Sequence, residues 1–234
     1  MCTENIKTIE VETDAMLTLL LQEKFEQNRD TAQAVPMSKY MKNLFPFLGI
    51  KTPLRNELTR QFYSETEILK KPFLPELVLE LWEKSEREYQ YAALDYISKK
   101  LNVLSKEHFP LLKQLITEKS WWDTVDALAA KPVGKLAFHY PELIAENLDE
   151  WSTSNHLWRK RTSILFQLKY KHQTNEELLY RYILQNANSR EFFIQKAIGW
   201  ALREYSKTAP DSVRQFIGTH TLARLSIREG SKYL

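Results

Sequence analysis

The chain has 234 residues, 43% of them hydrophobic and 27% charged, with a net charge of +3. That length can bury a substantial core in one large domain or two small ones, and the composition is too apolar for a disordered chain. No run of ~18 apolar residues occurs, so no helix is expected to span a bilayer, and the single cysteine, Cys2, excludes intramolecular disulfides and cysteine-cluster metal sites.

The first dozen residues carry no periodic pattern, and acidic residues interrupt the stretch from Met1 to Asp14, so it does not read as a secretory signal. Residues 1–12 are expected to be a flexible tail, residues 13–234 a single domain, and a reducing cytoplasm the expected location. Apolar residues then recur at the i, i+3, i+4 spacing of amphipathic helices. Leu17, Leu20, Leu21 and Phe25 form the first stripe; Leu77, Leu81 and Trp82 another; Tyr91, Leu94, Tyr96, Ile97 and Leu101 a third. Between them lies a small basic and aromatic cluster of Lys39, Tyr40 and Lys42, followed by Lys51 and Arg55. A solvated helix face explains such a cluster as well as a binding role does.

Further stripes follow at Phe109, Leu112 and Leu115, at Leu143, Ile144 and Leu148, and at Ile164, Leu165 and Leu168. The last are Leu178, Leu179, Tyr182 and Ile183, then Phe193, Ile198 and Leu202. Prolines such as Pro53, Pro75, Pro110, Pro132 and Pro210 fall near the edges of these segments, where proline begins or ends a helix. Five glycines with neither phosphate-loop nor dinucleotide-turn spacing argue against nucleotide cradles and hairpin-rich β folds. The expectation is an all-α fold of helices of ten to eighteen residues. Helix pairs joined by short turns suggest a HEAT-like or armadillo-like stack, with a compact bundle as the competing architecture.

Three places carry candidate chemistry. In Ser120-Trp121-Trp122-Asp123-Thr124-Val125-Asp126, Ser120 is placed to cap a helix, and Trp122 and Asp126 share a face at i and i+4. An indole beside a carboxylate suits a site that stabilises positive charge; a core tryptophan beside a capping acid is the plainer alternative. On the helix expected from about Glu191 to Lys207, Lys196, Trp200, Arg203 and Lys207 set one ring in a row of cations. Such a row fits a DNA-contacting surface, or basic stems packed over a ring. Arg159, Lys160 and Arg161 are expected to open a helix that continues to Lys169 and Lys171, with guanidinium forks suited to phosphate. From Ser154 onward there are 14 Lys and Arg against 6 Asp and Glu, a basic half that suggests a polyanionic partner. The five histidines form neither an HxxxH nor an HxH pair, so no metal site is expected.

Tyr40 in MSKYMKNLFPFLGI, the KSWWDTVDALA segment around Trp122 and Asp126, Arg161 in LWRKRTSILF and Trp200 in FFIQKAIGWALREYSK occur in order. Together they resemble the AlkD-like DNA alkylation-repair glycosylases, from about Met37 to the C-terminus. The resemblance implies a right-handed superhelical stack of antiparallel helix pairs, a HEAT-like α-solenoid whose basic concave face holds duplex DNA. It implies hydrolysis of the N-glycosidic bond of cationic N3- or N7-alkylated purines, with no cofactor and with the lesion not swung into a pocket. It makes Asp126 the catalytic carboxylate, sets Trp122 and Trp200 beside the deoxyribose, puts Tyr40 on the lesion-side surface and puts Arg161 on a phosphate. Arg159, Lys160, Lys196, Arg203, Lys207, Lys39 and Lys42 are the further DNA-binding candidates, and a monomer is expected. The rival readings are a lysine nucleophile forming a Schiff base, and a helical module that only binds DNA structure or another protein.

Overall fold

A computed structural model describes residues 16–234, which form two compact units, residues up to Val103 and residues from Leu104 onward. The expected tail over residues 1–12 lies outside the described residues. Every regular element among the described residues is helical, and none of these helices is long and apolar enough to cross a membrane.

The first unit contains α1 (residues 16–26), α2 (Thr31–Tyr40), α3 (Thr52–Thr66), α4 (Pro75–Glu83) and α5 (Arg87–Lys99). Pro53 and Pro75 occupy the first turns of α3 and α4, where a missing N–H costs nothing. Leu21, Phe25, Phe62, Leu77, Leu81, Trp82 and Tyr96 are fully buried, each contributing about 1.5–3 kcal/mol of transfer free energy. Leu20, counted on the first apolar face, is instead exposed.

The segment before α3 is fastened from α5. The buried Glu88 carboxylate accepts the backbone N–H groups of Leu48, Gly49 and Ile50 at 3.0, 2.9 and 3.0 Å. Arg87 lies over the Phe45 ring at 3.8 Å, and its backbone N–H donates to Pro46. Gly49 sits at φ +92°, and a Cβ there would meet the Asp30 carbonyl oxygen at 1.9 Å, so only glycine fits.

The second unit runs through α6 (Phe109–Thr117), α7 (Trp122–Leu128), α8 (Gly134–His139), α9 (Asp149–Thr153) and α10 (Leu157–Leu165). It continues with α11 (Glu176–Gln185), α12 (Phe192–Ser206), α13 (Pro210–Thr219) and α14 (Arg224–Gly230). Helix α10 is central, packing against α6, α7, α9 and α12, while α12 packs closely on α14. That second approach needs Gly199, where a Cβ would lie 2.5 Å from the Glu229 Cβ. A core of Ile164, Leu165, Leu179, Ile183, Ile194, Ile198, Leu202 and Val213 fills the space between these helices.

Three local expectations change. Ser120 does not cap α7; Trp121 holds that position, and the Ser120 hydroxyl donates backward to the Ile116 carbonyl. Helix α10 stops at Leu165 rather than reaching Lys169 and Lys171, because tight i→i+3 turns follow and Lys171 adopts a left-handed φ of 54°. Several helices are shorter than ten residues. Between α7 and α8 the ladder widens to a π-turn over Ala129–Val133, which accommodates Pro132, a residue with no N–H to give and a ring that crowds the preceding turn.

Candidate functional site

The site assembles in the second unit where α7, α10 and α12 meet. Trp121, at the start of α7, stands edge-on to Trp158 of α10 and Phe193 of α12, with ring centroids 5.6 and 5.0 Å away. Trp158 and Phe193 are 5.1 Å apart, so three rings lock the three helices together.

One turn further along α7, Asp126 meets Arg161. The guanidinium Nε donates to one carboxylate oxygen at 2.6 Å and Nη2 to the other at 2.8 Å. Nη1 donates to the Phe193 carbonyl, tying α12 into the same clamp. The two side chains are only 5% and 14% exposed. A forked, nearly dry pair fixes the carboxylate plane far better than a surface ion pair. Burial pushes the Asp126 carboxyl above the ordinary carboxylate range, Arg161 pulls it back, and Asp123 adds a further upward push. Arg161, expected on a phosphate, is thus occupied inside the protein.

Asp126 lines a cleft of about 190 Å³ together with Ala127, Ala130, Lys131, Leu168, Lys169, Trp200 and Glu204. The structure therefore brings Asp126 and Trp200 to one wall-to-wall space. Ala130 and Lys131 enter it from the π-turn, which rotates them relative to a regular helix. Trp122 begins α7 and shares the Asp126 face, but it is not among the lining residues. Trp200 is half-buried, its other side packed on the core.

The cations expected around Trp200 are held by carboxylates. Glu229 of α14, with its side chain 8% exposed, lies 3.2 Å from Lys196, 3.5 Å from Arg203, 3.6 Å from Arg228 and 2.7 Å from Lys232. Lys207, just past the end of α12, pairs with Glu204 at 2.6 Å and lies 5.2 Å from the Tyr233 ring centroid. Four cations on one carboxylate leave the cluster positive. Hydrogen bonding to Lys232, and then to Lys196, outweighs burial and holds Glu229 down at about 2. Because its folded value lies below the unfolded one near 4.5, Glu229 stabilises the fold above that range and loses this contribution as pH falls from about 4.5 toward 2. Glu229→Gln should therefore flatten the acid limb of a Tm-versus-pH curve; an unchanged limb would remove Glu229 as its source.

Arg159 and Lys160 stand half-buried in the first turn of α10, which holds no acidic residue. The Arg159 Nε is buried without a hydrogen-bond partner. In the first unit, Tyr40 is 69% exposed at the end of α2, and Lys39 and Lys42 beside it are exposed. Lys39 complements the helix dipole there, and Lys42 takes a left-handed φ of 60°. Sequence reading missed Glu204 and Glu229. Glu204 had a signal, since it lies four residues after Trp200 on the same face; Glu229 has local partners in Arg228 and Lys232, but its pairing with Lys196 and Arg203 had none, because those two come from another helix.

These features define an all-helical protein with a clamped carboxylate and an indole lining one cleft, next to a cluster of excess cations. The chain belongs to the DNA alkylation repair enzyme family, whose pattern it matches over residues 21–234. A solved structure described as a predicted DNA alkylation repair enzyme from Enterococcus faecalis is 35% identical, with a TM-score of 0.77 over 88% of this chain and 96% of that one. AlkD2 from Streptococcus mutans shares the fold at 17% identity, with a TM-score of 0.56 over 79% of this chain and 91% of that one. A second protein, from Streptococcus mutans UA159, does so at 17% identity and a TM-score of 0.56, over 77% of this chain and 97% of that one. No curated protein matches the chain. The all-helical class and the resemblance to AlkD-type proteins hold, and the family makes this a DNA repair protein.

Proposed function

We propose that the protein is a monofunctional DNA glycosylase that hydrolyses the N-glycosidic bond of cationic N3- or N7-alkylated purines in duplex DNA. The observation that carries this reading is the Asp126 carboxylate, fixed by Arg161 in a cleft that it shares with Trp200. An alkylated purine already bears positive charge and leaves as a neutral base, so no general acid is needed. As the bond stretches, the charge passes to the sugar, giving an oxocarbenium-like transition state. A preorganised carboxylate and the indole faces of Trp200 and Trp122 stabilise that charge without rearranging.

Size supports a contact with the sugar rather than an extruded base. Pockets that enclose ligands usually measure ~300–1,000 Å³, whereas this cleft is about 190 Å³. DNA contact is assigned to Arg159 and Lys160, whose place at a helix N-terminus opposes the dipole by about 0.3–1 kcal/mol each unless an anion offsets it. Lys196, Arg203 and Lys207 contribute the excess charge of α12, and Lys39, Tyr40 and Lys42 are the contacts offered by the first unit. The reaction needs no cofactor, one monomer suffices, and a cytoplasmic address suits a one-cysteine chain.

The test is incubation with a duplex containing one N7-methylguanine or N3-methyladenine, followed by assay of free base. Release well above spontaneous depurination is expected. DNA binding without release would leave a recognition module and remove the enzyme reading.

A further inference from the structure

Helix α2 carries Tyr40, yet α2 does little to hold itself in place. None of its ten residues is buried, and Pro36 lies inside it, removing one backbone hydrogen bond. A helix so short is marginal in water without packing. Its ends are fastened instead. At the start, the Asp30 side chain accepts the Gln33 N–H at 3.0 Å, and the Asp30 N–H donates to the Leu48 carbonyl at 2.9 Å. At the end, Met41 is buried, and Lys42 and Asn43 turn the chain with left-handed φ values of 60° and 57°.

Both fastenings lead to three consecutive residues at the start of α5. Glu86 takes the Arg29 guanidinium at 2.8 Å, beside the Asp30 cap. Arg87, fully buried, lies against the Phe45 ring, and its N–H donates to the Pro46 carbonyl at 2.9 Å. The fully buried Glu88 carboxylate accepts the N–H groups of Leu48, Gly49 and Ile50. Leu48 is the same residue whose carbonyl holds Asp30.

We propose that Glu88, assisted by Glu86 and Arg87, is a positioning residue for DNA binding: it fixes the arm from Asp30 to Asn43 and so the placement of Lys39, Tyr40 and Lys42 on the duplex. This rests on the reading that assigns those three residues to DNA. Burial of Phe47, Leu48 and Ile50 would hold the segment down by itself. What the carboxylate adds is direction. Three N–H groups converging on two oxygens admit one course for residues 48–50, and Gly49 brings that course against the Asp30 carbonyl. Cations and a ring already held in one geometry lose less freedom on meeting DNA.

The experiment measures DNA binding across salt concentrations, and single-turnover release across protein concentrations, on the N7-methylguanine duplex. It compares wild type, Glu88→Gln, an arm variant carrying Lys39→Ala, Tyr40→Ala and Lys42→Ala, and the two combined. Glu88→Gln keeps the shape but turns an acceptor oxygen into a donor facing an N–H, so at least one of the three bonds is lost. It should weaken DNA binding about tenfold, the worth of one good contact. The slope of log K against log salt should become shallower by about 0.9 for each lysine displaced. The loss should fall on the half-saturating protein concentration more than on the plateau rate. Adding Glu88→Gln to the arm variant should change nothing further, whereas a general loss of stability adds its full effect in either background. Arg29→Ala loosens the same arm from the surface and should act in the same direction, which guards against misfolding of Glu88→Gln. Additive losses, or a wild-type salt slope in both Glu88→Gln and Arg29→Ala, overturn the proposal and leave the glycosylase reading intact. Wild-type DNA binding by the arm variant overturns it together with the assignment of those residues to DNA. Absence of base release by the wild-type protein, with the expected pattern of binding, overturns the glycosylase reading and leaves the positioning role in place.

Discussion

Asp126→Asn is expected to lower the single-turnover rate of base release by about 10²–10³-fold, the usual effect of removing one preorganised electrostatic group. DNA affinity should barely change, because the carboxylate repels phosphate rather than binding it. The substitution also leaves the buried Arg161 without its counter-charge, which typically costs about 3 kcal/mol or more. For a chain of this size that lowers Tm by roughly 10 °C, so rates should be compared well below the variant's transition. Acid should inhibit the wild type for the same physical reason. Burial raises the Asp126 carboxyl, so its anion is lost at a higher pH than that of a free carboxylate. The sign is opposite to that of Glu229. With the folded value above the unfolded one, the Asp126 contribution to stability is present at low pH and is lost as pH rises through the folded value. A wild-type rate in Asp126→Asn, with the fold intact, would remove Asp126 from the mechanism.

Arg161→Ala should be as damaging, by a different route. It removes two hydrogen bonds to Asp126 and one to the Phe193 carbonyl, unclamping α7, α10 and α12 together. A loss of about 3–5 kcal/mol and at least a hundredfold in release is expected. Arg161→Lys should not recover it, since a point-charge ammonium cannot bridge both carboxylate oxygens and the carbonyl. The salt dependence of DNA binding discriminates between the two roles for Arg161. A buried clamp leaves the slope of log K against log salt unchanged, whereas each phosphate contact contributes about −0.9. Arg159→Ala and Lys160→Ala should each make that slope shallower. A slope reduced by about one unit in Arg161→Ala, with Tm unchanged, would place Arg161 on the phosphate after all.

Local information made much of the architecture legible. The spacing of Leu77, Leu81 and Trp82, or of Leu178, Leu179, Tyr182 and Ile183, names the buried faces of α4 and α11. The helix expected over about 191–207 is α12 over Phe192–Ser206. The shared face of Trp122 and Asp126 follows from helical geometry alone, and residues quoted from four segments sufficed to find the family.

The sequence by itself thus determined the helices, their buried faces and the family. Only the tertiary structure decided what the charges do. Arg161 reads as a surface cation until Asp126, 35 residues earlier in the chain, occupies its fork. Lys196 and Arg203 read as free phosphate contacts until α14 brings Glu229 beneath them. Glu204 reads as an ordinary helix-surface acid until α7 closes a cleft opposite it. The physical reason is range. Amphipathic periodicity is set by neighbours three or four residues away, and it can be read from the chain. The partner of a buried charge is set by which helices pack together, and desolvation makes that partner decisive.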